Sequence, residues 1–259
     1  NLVTGPFKES NLAKLYTNFI SSQENKSYIA DVGIFGETYA MFIGAPVYDG
    51  SSLVGVLAYQ VPMEQITDIM AEKAGQGLTG ESFLLALDDK GNISYRSNRT
   101  SLGNERFVVG YDITEIASPT MQKALDGNTG GGLIAASTGE TRINAYQPLE
   151  IEGVNWAVFT SVNATEALSP VHLQDEEDFL SAYRETYDYY DIFLIHPNGT
   201  VFFSVAQEAE YKTNILTGPY SDSNLATLVN EVLEEKATRF VDFAFYEPSG
   251  GAPAAFFAT

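Results

Sequence analysis

The chain has 259 residues, 44% hydrophobic and 19% charged, and its 14 Lys and Arg against 34 Asp and Glu give a net charge of −20. At roughly 150 residues per domain this means one or two domains with a real core, and it excludes a disordered tail, a collagen or a coiled coil. Such a charge repels nucleic-acid phosphates and anionic membrane faces, so nucleic acid is excluded as a partner. The absence of cysteine removes disulfides, thiolate metal sites and cysteine nucleophiles, and is compatible with a place outside the cytoplasm.

An internal repeat organises everything that follows. Residues Asn1–Leu15 match Asn214–Leu228 without a gap, with nine identities in fifteen. Each copy reads as a loop running into a helix, with Ser10 or Ser223 as N-cap. Leu12, Leu15, Tyr16, Phe19 and Ile20 form one apolar helical face, and Leu225, Leu228, Val229, Val232 and Leu233 form the other.

In chain order, strands are predicted at Tyr28–Phe35, Thr38–Val47 and Leu53–Val61, with Tyr48-Asp-Gly-Ser-Ser52 as the last hairpin turn. A short helix at Pro62–Ala71 is expected to carry Pro62 at its first position. Gly75-Gln-Gly-Leu-Thr-Gly80 satisfies the G-x-G-x-x-G pattern, but a helix precedes it and a strand follows, the reverse of a dinucleotide fold, so it reads as a linker. Strands at Ser82–Leu87 and Ile93–Tyr95 flank the turn Asp88–Asn92; a helix at Thr114–Leu125 and strands at Gly132–Ala136, Thr141–Pro148 and Asn155–Val162 complete a ββαβββ unit. A long helix at Glu166–Tyr187 leads to strands Tyr190–Ile195 and Thr200–Ala206 around His196-Pro-Asn-Gly199, then the second repeat helix and strands Arg239–Tyr246 and Ala254–Thr259.

Residues 1–61 therefore read as αβββ, the unit without its first two strands, and residues 188–259 as ββαββ, the unit without its last. The expectation is α+β, with antiparallel five-stranded ββαβββ units joined by long helices, cut from a longer tandem array. Each end holds what the other lacks, so self-association through the complementary incomplete units is expected.

This arrangement resembles the double Cache domain, the PAS-like extracytoplasmic sensor module of chemoreceptors and sensor kinases. The stretches that carry the resemblance are Tyr189–Ile195, Thr213–Tyr220, Asp242–Ser249 running on to Pro253–Phe256, Gly55–Pro62, and Thr79–Leu85 with Tyr95-Arg-Ser97. The resemblance implies a membrane-distal unit ending in 1–61, a proximal unit with its linking helix over 62–165, and the long helix plus most of a second distal unit over 166–259. It further implies an extracytoplasmic location, periplasmic or cell-surface, with any anchor outside the fragment.

Candidate sites are few. His172 and His196 are the only histidines, no triad spacing is visible, and His196 sits in a turn, so catalysis is not expected. Asp88-Asp89 and Asp175-Glu-Glu-Asp178 lack the alternating ligands of a calcium loop, and no metal or cofactor is expected. Asn25, Asn92, Asn98, Asn163 and Asn198 lie in glycosylation sequons. Strand alternation places Asp242 and Tyr246 on one face and Phe243 and Phe245 on the other. In Cache domains this strand and its loop line the ligand pocket, so Asp242, Tyr246 and Ser249 are ligand-binding candidates, joined by Gln60. Gln60 stands where amino-acid-binding Cache domains commonly carry an aspartate, and their arginine and tryptophan are not visible after Asp242. The expected partner is therefore a small polar or amine-bearing molecule, and an amino-acid ligand is not supported. The leading function is a non-enzymatic sensor that passes a ligand-induced change to a membrane-anchored output; the alternative is a surface or filament protein of tandem units joined head to tail.

Overall fold

The computed structural model describes all residues except 23–24, 89, 101–106, 137–138 and 172–176. Its contacts divide the chain into two units, residues 1–132 with 143–162, and residues 133–142 with 163–259.

The first unit opens with α1 (Asn11–Ser22), whose Ser10 Oγ accepts from the Ala13 amide and caps the helix. Strands β1 (Tyr28–Phe35), β2 (Thr38–Asp49) and β3 (Ser52–Pro62) form an antiparallel sheet in that order. The β2–β3 hairpin closes where Asp49 faces Ser52, with Gly50 at φ 58°, a conformation glycine adopts without strain. Helix α1 lies close on β2: a Cβ at Gly44 would stand 2.6 Å from Leu15 Cδ2. Leu15, Phe19, Ala30, Ala40 and Phe42 make the core between helix and sheet.

Helix α2 (Met63–Met70) follows β3 directly. Pro62 ends the strand and occupies the N-cap with extended backbone, one position earlier than expected, because it still faces Ala40 in the ladder. Strands β4 (Glu81–Leu87), β5 (Ile93–Tyr95), β6 (Gly130–Ala135), β7 (Thr141–Leu149) and β8 (Trp156–Asn163) form one five-stranded sheet in the order β5-β4-β8-β7-β6. The unit's first strand thus sits between its second and its last. The helix predicted over 114–125 is a 3₁₀ turn at Thr114–Ile116 and, separately, α3 (Pro119–Leu125). Ala117 is extended, and Pro119, having no amide to donate, suits only the start of a helix. Phe83, Leu85, Tyr95, Ile113, Leu125 and Phe159 fill one core, while Met41, Met63, Leu84, Ala86, Val109 and Trp156 fill another together with Ile29, Val32 and Val61.

In the second unit the expected long helix over 166–187 is replaced by two short ones, α4 (Ala164–Leu168) and α5 (Phe179–Tyr187). Ser169 leaves helical backbone at φ −134° ahead of Pro170, whose ring disfavours a helical predecessor. His172, Asp175 and Glu176 lie outside the described residues, and Asp178 caps α5 by accepting from the Ser181 amide at 3.2 Å.

Strands β9 (Phe193–Ile195) and β10 (Val201–Ser204) form one two-stranded sheet and, after α6 (Asn224–Glu235), β11 (Arg239–Tyr246) and β12 (Ala252–Ala258) form another. Val201, Ile215, Leu225, Ala226, Val229 and Tyr246 make the core.

The sequence repeat is a repeat of structure. Asn11 donates its amide to the carbonyls of Asp31 and Ala40 at 2.9 and 2.6 Å; Asn224 donates to those of Asp242 and Ala254 at 3.2 and 2.8 Å. The β1–β2 ladder shifts register between Ala30 and Gly33, the β11–β12 ladder between Val241 and Ala244. Asp242 therefore corresponds to Asp31, and β12 to β2.

Candidate functional site

Among the described residues, buried side-chain atoms without a partner occur in both units, among them Gln76, Arg99 and Asn144 in the first, but a whole carboxylate and a phenol are left so only in the second unit, in Glu210 of the loop that leaves β10 and in Tyr246. Two non-glycine residues in that loop, Gln207 and Lys212, adopt left-handed backbone at φ 50° and 64°. Neither caps a helix, unlike Asp188 and Lys236, which take the same conformation at the ends of α5 and α6. Between them the loop carries Glu208 and Glu210.

Glu208 is held from two sides, accepting from the Tyr190 hydroxyl at 2.6 Å and the Ser249 hydroxyl at 2.5 Å. Asp191, just before β9, accepts from the Ser204 hydroxyl at 2.7 Å and the Ala206 amide at 2.9 Å. Glu210 is fully buried, and neither of its carboxylate oxygens has a hydrogen-bond partner. The Tyr246 hydroxyl is likewise buried and without a partner.

The electrostatics follow from this crowding of acids. Burial raises the Glu210 carboxyl above its ordinary pKa, and the charges of Glu208 and Asp191 add to the rise. Burial also raises the Tyr246 phenol, with the nearby Glu210 charge next in weight. Tyr190 is raised because its hydroxyl donates to the Glu208 carboxylate, which favours keeping the proton. Among the described residues no ion pair reaches Asp191, Glu208 or Glu210. The contrast with the first unit is direct: there the buried Glu81 is paired with Arg99, whose guanidinium also lies 4.4 Å from the Phe83 ring centre. A charge-neutralising partner completes one buried glutamate and, among the described residues, is missing from the other.

Three carboxyls and two phenols, with no ion pair to any of those carboxyls among the described residues, are suited to a positively charged group that brings several N–H donors. No group of His, Cys, Asp and Glu among the described residues is placed to hold a metal ion. An ammonium fits this set of acceptors, because it can give separate hydrogen bonds to carboxylates that do not converge on one point.

Of the sequence candidates, Tyr246 and Ser249 belong to this cluster. Asp242 lies toward the other end of β11, exposed, its carboxylate accepting from the next backbone amide, that of Phe243, at 2.8 Å. The register shift between Val241 and Ala244 breaks the alternation that put Asp242 and Tyr246 on one face. Gln60 is exposed on β3 in the first unit. Among the sequons, Asn25, Asn98 and Asn198 are exposed. The Asn92 amide is engaged by Asp88 at 3.0 Å, and Asn163 caps α4. His196 accepts from the Asn198 amide at 3.0 Å, a turn-forming role. Asp191, Glu208 and Glu210 are not among the sequence candidates; the signal for them is a Glu-x-Glu pair directly after a strand with no basic residue near it until Lys212.

A recess of about 390 Å³ lies in the first unit and is lined by Tyr39, Glu64, Thr67, Asp68, Asn98 and Val109. It is open, and Asn98 is already spent on the Val109 amide at 2.9 Å, so it has less unmet chemistry than the acidic cluster.

No protein-family model matches this chain, and no curated protein sequence does. Among solved structures it is similar to the periplasmic sensory domain of the Campylobacter jejuni chemoreceptor Tlp1, at 19% identity and a TM-score of 0.45 over 60% of this chain and 56% of that one. It is also similar to the ligand-binding domain of the Pseudomonas fluorescens chemoreceptor CtaA in complex with L-leucine, at 15% identity and a TM-score of 0.41 over 62% of each chain. A third similarity is to the ligand-binding domain of the Pseudomonas aeruginosa amino acid chemoreceptor PctB in complex with L-Arg, at 18% identity and a TM-score of 0.42 over 59% of this chain and 60% of that one. The chain thus spans less than two thirds of the length of each. Among its described residues no helix is long and apolar enough to cross a membrane.

Proposed function

We propose that the chain is an extracytoplasmic sensing domain that binds a small amine in the acidic cluster of its second unit and passes the change to a membrane-anchored output, without catalysing a reaction. The observation that carries this reading is Glu210: a buried carboxyl with both oxygens unpartnered, next to a buried phenol that is unpartnered too. Leaving such groups without partners costs about 1–3 kcal/mol each, so a ligand that supplies donors to the carboxyl recovers a cost the apo fold already bears. The strained backbone at Gln207 and Lys212 is of the kind that persists at binding sites. A free amino acid is disfavoured, because its carboxylate would enter a cluster of acids that no ion pair relieves.

The test is thermal denaturation of the intact chain with methylammonium, putrescine and the twenty amino acids, with acetate as the anionic control. Amines lacking a carboxylate should raise the melting temperature, and Glu210→Gln should abolish that rise. The same substitution should also stabilise the ligand-free fold at neutral pH. The raised pKa favours the neutral acid, so the native form gains from protonation at low pH and loses that gain as pH climbs above 4.5 through the folded value. The difference between wild type and Glu210→Gln should therefore close as the pH is lowered. No amine response at any concentration, or a response that survives Glu210→Gln, would sink the proposal.

A further inference from the structure

An ionised carboxylate has about four lone-pair sites, and the three acids of the cluster differ in how many are filled. At Asp191 three are taken: Oδ1 accepts from the Ile192 and Ala206 amides at 2.7 and 2.9 Å, and Oδ2 from the Ser204 hydroxyl at 2.7 Å. At Glu208 two are taken, one on each oxygen, by the Tyr190 and Ser249 hydroxyls. At Glu210, among the described residues, none is. About seven sites are left, where one ammonium brings about three donors and two bring about six.

The open sites also fall at two depths. Glu210 is fully buried, whereas Glu208 and Asp191 are half-buried, and Tyr190, which donates to Glu208, is 68% exposed. The three acids stand close enough that the charges of Glu208 and Asp191 act on Glu210. Tyr246 belongs to the same cluster, since all three charges act on its phenol, and its hydroxyl is buried without a partner. The loop's own base does not meet this charge: Lys212 Nζ lies over the Tyr211 ring, 5.0 Å from its centre, and among the described residues makes no ion pair.

We infer that the ligand class of this site is an aliphatic diamine, with one ammonium at Glu210 and the Tyr246 hydroxyl and the other at Glu208 and Asp191. This rests on the amine reading above and narrows it. The inner ammonium supplies donors to the carboxyl that has none, and the outer one takes the lone pairs that hydroxyls and amides leave free. With all three acids ionised, a monoamine leaves two charges uncompensated and a diamine leaves one. The methylene stem between the ammonium groups asks for no polar partner, and its burial removes apolar surface from water.

The test compares putrescine with n-butylamine, which has the same carbon stem and a single ammonium. Both are titrated into the intact chain by calorimetry at about 0.15 M salt, where charges more than about 8 Å apart are largely screened. Putrescine is expected to bind about tenfold tighter, as one further hydrogen-bonded charge gives. Glu208→Gln keeps the shape of the side chain and should shrink that ratio by lowering the putrescine affinity more than the butylamine affinity. Glu37→Gln, at an exposed acid between β1 and β2, controls for the chain's overall charge and should leave the ratio at its wild-type value. Equal affinities for the two amines, or a preference that Glu208→Gln reduces no more than Glu37→Gln does, would overturn the diamine assignment while the amine reading stands. If neither amine binds, both fall.

Discussion

Asp31 and Asp242 occupy the same place in two copies of one substructure, and their fates differ. Each follows a helix capped by a serine, each offers its carbonyl to an asparagine amide, and each folds its own carboxylate back onto the next backbone amide. Asp31, however, also receives Arg96 Nε and Nη2 at 3.0 and 2.7 Å and the Trp156 indole N–H at 2.8 Å. Among the described residues Asp242's carboxylate receives nothing further, and its neighbours Phe240, Phe243 and Phe245 are 64%, 72% and 84% exposed. Local sequence is sufficient to build the helix, bulge and hairpin; what the aspartate is worth depends on whether a guanidinium and an indole reach it.

The sharpest way to break this comparison is to remove each carboxylate in turn. Asp31→Ala leaves the Arg96 guanidinium buried at 3% exposure without its counter-charge, and should destabilise the first unit by about 3–5 kcal/mol in denaturant unfolding. Asp242→Ala should stay within about 0.5 kcal/mol of wild type. Equal losses at the two positions would mean that the carboxylates act through the shared local turn and not through Arg96.

Next in size is the asparagine clamp. Asn11→Ala strands two carbonyls, one of them fully buried, and should cost about 1–3 kcal/mol. Asn224→Ala should cost less, because its bond to Asp242 is exposed. Smallest and most nearly equal should be the caps: Ser10→Ala and Ser223→Ala each lose one bond to a helix amide, for about 1 kcal/mol apiece by chemical denaturation.

The caps, the hairpin turn at Gly50 and the bounds of β1, β5 and β11 are all legible in the sequence, because each depends on residues within a few positions of one another. The helix breaks at Pro119 and Pro170 are written in the sequence as prolines, yet a reading that follows apolar spacing alone runs across them. The Asp31–Arg96 and Asp31–Trp156 contacts join positions 65 and 125 residues apart, a distance over which no periodicity speaks. Glu210 escapes a sequence reading for a different reason: glutamate is rarely buried, so its burial is knowable only once the fold surrounds it.

The asparagine clamp bears on how two similar segments fold in one chain without exchanging parts. One amide can reach both carbonyls only when the bulged strand and its neighbour are in phase, and a slip of one residue would turn every side chain to the wrong face. The clamp therefore proofreads phase, but it is blind to ownership, since α1 and α6 carry the same asparagine. Ownership is settled by chain distance. β1 reaches β2 across Gly36 and Glu37, and β11 reaches β12 across residues 247–251, so each hairpin closes on itself long before strands some two hundred residues apart can meet.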